Sequence, residues 1–183
     1  MKPLSFDIEE VLRLFDEKKV FDLRGISNRL IREAAMSNDY AKAELGVIAY
    51  ALHKLESKEH FVRNPKWGKV KQSISQHLLE AENAVKNNEQ AKFLNALKTV
   101  IQSITNIDNE LGNFAQNIYD KAKVKQASLA YSYGLSIEQS SALTGADQKE
   151  LQSYIGFTTM HDDEPETKNI SQRVKDFLNL MKE

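Results

Sequence analysis

The chain has 183 residues, a length that suits one domain or one core with a small appended module. Hydrophobic residues are 41% and charged residues 28%, which excludes disordered and membrane-embedded classes, and the net charge of −1 excludes a histone-like excess of positive charge. The absence of cysteine excludes disulfides, thiolate zinc sites, iron–sulfur ligation and cysteine nucleophiles.

The N-terminus carries no apolar signal core, because the chain becomes acidic as early as Asp7. No run approaches the ~18 apolar residues that a membrane span requires. We therefore expect a cytoplasmic protein without a membrane partner.

Apolar residues recur at helical spacing almost everywhere, and no segment is a convincing strand. The first helix is expected to begin at a cap formed by Ser5 or Asp7. A second helix, restarted near Gly25, ends at the polar break 37–39, and a third follows it. The pattern predicts an all-α fold.

Residues 1–120 are expected to form a helical bundle that contains a long antiparallel hairpin over about 64–120. Two apolar stripes separated by a polar turn at 86–88 support it. They are Trp67, Val70, Ile74, Leu78, Ala81 and Val85, then Phe93, Leu97, Val100, Ile104, Ile107, Leu111, Phe114 and Ile118. We expect the second stripe to lie on one helix that continues through Gly112. An exposed part of this stripe is a candidate homodimer interface. The alternative is that the chain itself buries the whole stripe.

Residues 137–155 have the spacing of a helix-turn-helix. Ser141 is small enough for two helices to cross, and Gly145, four positions later, tolerates a left-handed turn. Asp147 is placed to cap the second helix, which is expected to end at Gly156. This predicts a module over 121–156, followed over 157–183 by an acidic linker and a terminal helix.

The stretch resembles helix-turn-helix modules of small prokaryotic, especially archaeal, regulators and antitoxin-like proteins. The matching residues are Gly134-Leu135-Ser136, Ser141-Ala142-Leu143-Thr144-Gly145 and Glu150-Leu151, and the resemblance covers roughly residues 125–165. It implies that the second helix enters the DNA major groove. The residues implied to contact DNA are Gln148, Lys149, Gln152, Ser153 and Thr144.

The second helix itself carries one positive charge against two negative charges, those of Asp147 and Glu150, which disfavours strong phosphate binding. Lys121, Lys123 and Lys125 compensate if the preceding helix lies along the DNA backbone, and of these Lys121 and Lys125 are the expected contacts.

Two functions from different classes follow. The first is a DNA-binding regulator, transcriptional or antitoxin-like, whose bundle serves dimerisation or partner binding. The second is a non-enzymatic helical adaptor that binds protein and no nucleic acid. The surface charge around the second helix discriminates between them. If Lys121, Lys123 and Lys125 share a face with that helix, DNA binding is favoured; if Asp120, Asp147 and Glu150 dominate the face, the adaptor is favoured.

The segment from Lys58 to Lys71 is a second basic feature, with five positive charges against Glu59 and a net charge of +4. His60, Phe61 and Trp67 interleave with these charges, which suggests RNA binding with Trp67 or Phe61 stacking on the bases. The alternative is a solvated surface with Trp67 in the hairpin core.

Catalytic and metal-binding patterns are weak. The His161–Glu164 run contains metal-ligand residue types, but adjacent loop residues rarely converge on one ion, and an acidic connector is the alternative. No Gly-x-Ser-x-Gly elbow, Walker loop or metal-binding helix is present. We therefore expect no enzymatic activity, no cofactor and no metal.

Overall fold

In the computed structural model of this protein, residues 3–111 and 118–161 are described, with side chains described for 3–107 and 118–157. Within these ranges every regular element is a helix, so the predicted all-α class is confirmed. The helices are α1 Leu4–Asp16, α2 Val20–Ser37, α3 Tyr40–Glu56, α4 Glu59–Val62, α5 Trp67–Lys86, α6 Gln90–Leu111, α7 Ile118–Ser132, α8 Ile137–Thr144 and α9 Gln148–His161. Among them, none combines the length and the apolar character that a membrane span requires.

Helix α3 lies at the centre of the fold and contacts α1, α2, α4, α6, α7 and α8. Its sequence explains this position, because 13 of its 17 residues are buried and a helix that is apolar on most sides belongs in a core. Gly46 lets α2 approach closely: a Cβ there would lie 3.1 Å from two side-chain atoms of Ile31. At the same crossing the buried Ser27 hydroxyl donates a hydrogen bond to the carbonyl oxygen of Gly46 at 2.7 Å.

Helices α5 and α6 follow one another through the short turn 87–89 and pack against each other, while α5 also packs on α1. The described part of the second apolar stripe is buried in the main core. Its members are Phe93, Leu97, Val100, Ile104 and Ile107 of α6 and Ile118 at the start of α7. The chain itself therefore uses these residues, and they are not free to form a dimer interface. The predicted continuity of this helix through Gly112 lies outside the described residues.

The N-terminal expectations need two corrections. Helix α1 begins at Leu4 after Pro3, so Ser5 and Asp7 lie inside the helix and do not cap it. The carboxylate of Asp7 is instead fully buried and accepts hydrogen bonds from both terminal nitrogens of Arg29 at 3.0 Å. Helix α2 also runs through Gly25 without a restart, since a single glycine costs a helix only about 1 kcal/mol.

Candidate functional site

The turn between α8 and α9 is built from local hydrogen bonds. Ser136 and Gln139 form a reciprocal capping box at the start of α8, with bonds of 3.1 Å and 2.9 Å. Gly145 adopts the left-handed conformation that its position predicts, with φ 69°, and its N–H donates to the carbonyl oxygen of Ser141 at 2.8 Å. Asp147 then accepts hydrogen bonds at 2.9 Å from the backbone N–H groups of Lys149 and Glu150. These caps set where α9 begins.

The predicted end of α9 at Gly156 is wrong, because the helix continues to His161. A glycine ends a helix when it takes a left-handed conformation, and Gly156 is not among the residues with positive φ. Phe157, expected in a linker, is therefore helical and 71% exposed. The predicted linker from residue 162 onward, the terminal helix and the Asp162–Glu164 part of the acidic cluster lie outside the described residues.

The structure brings most of the predicted contact residues to one region. Gln148, Lys149, Gln152 and Ser153 are all exposed on α9. Helix α7, which packs against α9, carries the exposed Lys121 and the half-buried Lys125.

Thr144, in contrast, is buried. It is only 7% exposed, and its hydroxyl donates to the carbonyl oxygen of Ser140 at 2.9 Å. Because this hydroxyl is already engaged inside the helix, we leave Thr144 out of the candidate surface. The charge of Lys123 is compensated, since its ammonium pairs with Asp120 at 3.1 Å and also lies 4.9 Å from the ring centroid of Tyr119.

A groove of about 750 Å³ lies between α3, α7 and α9. Among the described residues that line it, a single carboxylate, that of Glu150, faces five lysines. They are Lys54, Lys58, Lys121, Lys125 and Lys149. We call this feature the lysine groove. Sequence reasoning missed Lys54 and assigned Lys58 to another segment, because no local spacing relates these positions to α7 and α9.

The floor and walls of the lysine groove are apolar and aromatic. They comprise Tyr50, Ile118, Ala122, Val124, Tyr154 and Phe157. The ammonium of Lys54 lies 5.3 Å from the ring centroid of Tyr50, and that of Lys125 lies 5.4 Å from the ring centroid of Tyr154. These cation–π contacts hold two ammonium groups against aromatic walls without neutralising their charge.

The charge of the groove is largely uncompensated. Within the described ranges, no carboxylate lies within 4.0 Å of the ammonium groups of Lys54, Lys58, Lys125 or Lys149. Burial raises the pKa of the Tyr50 phenol, and this outweighs the nearby positive charges that lower it, so the phenol stays neutral at physiological pH. The groove therefore presents positive charge beside an apolar floor.

The two rings proposed to stack on RNA, those of Phe61 and Trp67, are buried. Phe61 is 1% and Trp67 is 4% exposed, and the Trp67 ring packs edge-on against Phe15 with ring centroids 6.3 Å apart. Lys71 is held internally, because its ammonium donates at 2.7 Å to both a Glu56 carboxylate oxygen and the Phe15 carbonyl. The alternative that places Trp67 in the core is confirmed.

No group of three or more potential ligand side chains in the described part of the chain is arranged to hold a metal ion. No protein-family model, curated protein or solved structure matches this chain. What the chain does must therefore be inferred from its own residues.

Proposed function

We propose that this chain is a DNA-binding regulator, transcriptional or antitoxin-like, that inserts the first half of α9 into the major groove of duplex DNA. The observation that carries the proposal is the exposure of Gln148, Lys149, Gln152 and Ser153 on α9 beside the lysine groove. An α-helix fits the major groove, where glutamine pairs with adenine edges and lysine with guanine edges.

The lysine groove supplies the positive charge that phosphate binding requires. Its five lysines and Glu150 give a local balance of +4, although the whole chain has a net charge of −1. Asp147 is exposed at the start of α9 but does not line the groove. Lys121 and Lys125 lie on the helix that packs against α9, and Asp120 beside them is paired with Lys123. This arrangement supports DNA over the adaptor, because phosphate contacts supply most of the non-specific affinity.

Binding to a random-sequence DNA duplex tests the proposal. If four lysines contact phosphates, affinity falls on the order of 100-fold between about 50 and 200 mM salt. The variant Lys149→Ala/Gln152→Ala should bind more weakly, and its slope of log affinity against log salt should be shallower by about 1. Fluorescence anisotropy over a salt series measures both quantities.

The matched control is Lys98→Ala/Gln102→Ala, which removes the same two residue types from the exposed surface of α6. It should bind duplex DNA as the wild type does. Equal losses in the two variants, or no binding at low salt, would contradict the proposal. A clear preference for single-stranded RNA over duplex DNA would contradict it as well.

The exposed aromatic ring of Phe157 favours a second candidate, the protein-interaction adaptor. Exposed aromatic side chains beside an apolar groove are typical anchors of protein interfaces. If duplex DNA does not bind, a pull-down that compares wild type with Phe157→Ala tests this candidate. A partner retained by the wild type and lost by the variant supports it, and equal retention contradicts it.

A further inference from the structure

We propose that the lysine groove binds a small amphiphile that carries one anionic group on an apolar body, such as a medium-chain carboxylic acid. Two independent properties of the groove support this ligand class, namely its apolar floor and the ammonium groups of Lys54 and Lys125, with which no described carboxylate pairs. The inference goes beyond the proposed function, because binding of such a ligand does not require that the chain binds DNA.

The size and construction of the groove suit a small ligand. Its volume of about 750 Å³ falls within the range of roughly 300–1,000 Å³ that ligand pockets occupy. Three helices that pack in the same fold, α3, α7 and α9, form its walls. Because Ala122 and Tyr50 are also members of the main hydrophobic core, the floor is held in place before any ligand arrives.

The apolar part of the ligand would meet side chains that water now reaches. Phe157 is largely exposed at the edge of the groove, and Tyr154 is partly exposed beside it. Covering these rings with an alkyl chain removes apolar surface from water, which favours binding. A purely polar anion such as inorganic phosphate would leave the same surface exposed.

The anionic part of the ligand would meet lysines that repel one another. The ammonium groups of Lys54 and Lys125 are positioned by the rings of Tyr50 and Tyr154, and no described carboxylate pairs with either ammonium. A carboxylate placed between like charges relieves their repulsion. A cationic amphiphile of the same length would instead add to it.

Calorimetric titration of the full chain with decanoate, below its micelle concentration, tests the inference. We expect saturable binding of one decanoate per chain. Decyltrimethylammonium, which has the same alkyl length and the opposite charge, should bind at least about tenfold more weakly. Equal binding of the two amphiphiles, or no saturable binding of decanoate, would overturn the proposal.

Variants separate a built site from general surface adsorption. Lys125→Gln/Lys149→Gln should weaken decanoate binding about tenfold, because a charge-assisted contact is lost. The control Lys69→Gln/Lys98→Gln removes the same charge from exposed positions outside the groove and should bind decanoate as the wild type does. Phe157→Ala, at a position that is 71% exposed, should also weaken binding.

An unchanged affinity in the Lys125→Gln/Lys149→Gln variant, or an equal loss in the control, would overturn the proposal. Because the titration contains no DNA, its result is separate from that of the DNA experiment. A chain that binds decanoate and not duplex DNA supports the ligand site and contradicts the proposed function, and the reverse result does the opposite.

Discussion

A partly buried cluster of five charged side chains joins the first three helices. The ammonium of Lys42 lies 3.2 Å from Asp7 and 2.5 Å from Glu33, and the guanidinium of Arg29 lies 3.0 Å from each of the same two carboxylates. Glu10 completes the cluster at 3.1 Å from Arg29. Removing charges from water is costly, so these groups are tolerated inside the fold because each is paired. The cluster therefore favours one register of α1, α2 and α3.

The cluster predicts a loss of stability in acid. Burial alone raises the pKa of Glu33, but hydrogen bonds and positive charge from Lys42 and Arg29 outweigh it and hold the pKa below its ordinary value of 4.5. A carboxyl whose pKa is lower in the folded state stabilises that state above its unfolded pKa, and the contribution disappears as pH falls through the folded pKa. We expect the free energy of unfolding to decrease below about pH 4.5 and to decrease less in Glu33→Gln.

Urea unfolding followed by circular dichroism at several pH values measures this difference. The control is Glu89→Gln, which removes an exposed carboxylate paired with Lys92 at 2.8 Å. An exposed pair contributes at most about 1 kcal/mol, so this control should keep a pH dependence close to that of the wild type. Parallel curves for the wild type and Glu33→Gln would show that the cluster does not carry the acid sensitivity.

Two glycines affect helices α8 and α9 in opposite ways: Gly145 ends α8, and Gly156 lies inside α9. Gly145 forms the left-handed turn between the helices, whereas Gly156 lies within α9 with no neighbouring atom within 4 Å of an added Cβ. The nearest atom to an added Cβ at Gly145 is in the Lys123 side chain, at 4.0 Å, so space does not limit this position. The difference between the two sites is therefore one of backbone conformation.

We expect Gly145→Ala to lower the free energy of unfolding by about 1 kcal/mol, because alanine is strained at positive φ. We expect Gly156→Ala to raise it by up to about 1 kcal/mol, because alanine is the better helix former. Thermal unfolding of both variants, followed by circular dichroism, measures the two signs. Destabilisation by Gly156→Ala would show that a contact of its backbone outweighs helix propensity.

At the scale of the whole molecule, helices α1 to α8 contribute side chains to one hydrophobic core. Ala122 and Ala130 of α7 and Leu143 of α8 belong to the same buried cluster as the side chains of α1 to α6. A second, smaller cluster lies under the turn and contains Val124, Ala127, Ala146 and Leu151. Helix α7 contributes to both clusters and so links α9 to the bundle.

Because the helices share this core, we expect one cooperative unfolding transition. Trp67 is the one tryptophan of the chain and is buried against Phe15, so its fluorescence reports the bundle, while circular dichroism reports all helices. We expect the two signals to give the same midpoint in urea, as two-state unfolding requires. A separate transition seen only by circular dichroism would show that residues 121–156 fold as their own domain, as the sequence boundary predicts.

Local chemistry explains which helix boundaries were predictable. Asn38 and Asp39 separate α2 from α3 as expected: Asn38 is left-handed, and Asp39 accepts a hydrogen bond from the backbone N–H of Lys42 at 3.0 Å. The error at Asp7 has a tertiary cause, because its carboxylate pairs with Arg29 and Lys42 while the residue lies inside α1. The error at Gly156 is local: a glycine ends a helix only in a left-handed conformation, which Gly156 does not adopt.

The helical class, the apolar stripes of α5 and α6, and the turn at Gly145 were predictable from local patterns, because all of these depend on residues a few positions apart. Long-range packing buries the α6 stripe inside the chain and brings Lys54 and Lys58 together with Lys121, Lys125 and Lys149 around one groove. The packing of α3 against α7 brings these lysines together. No periodicity along the chain encodes that packing, since it depends on how distant helices share a core.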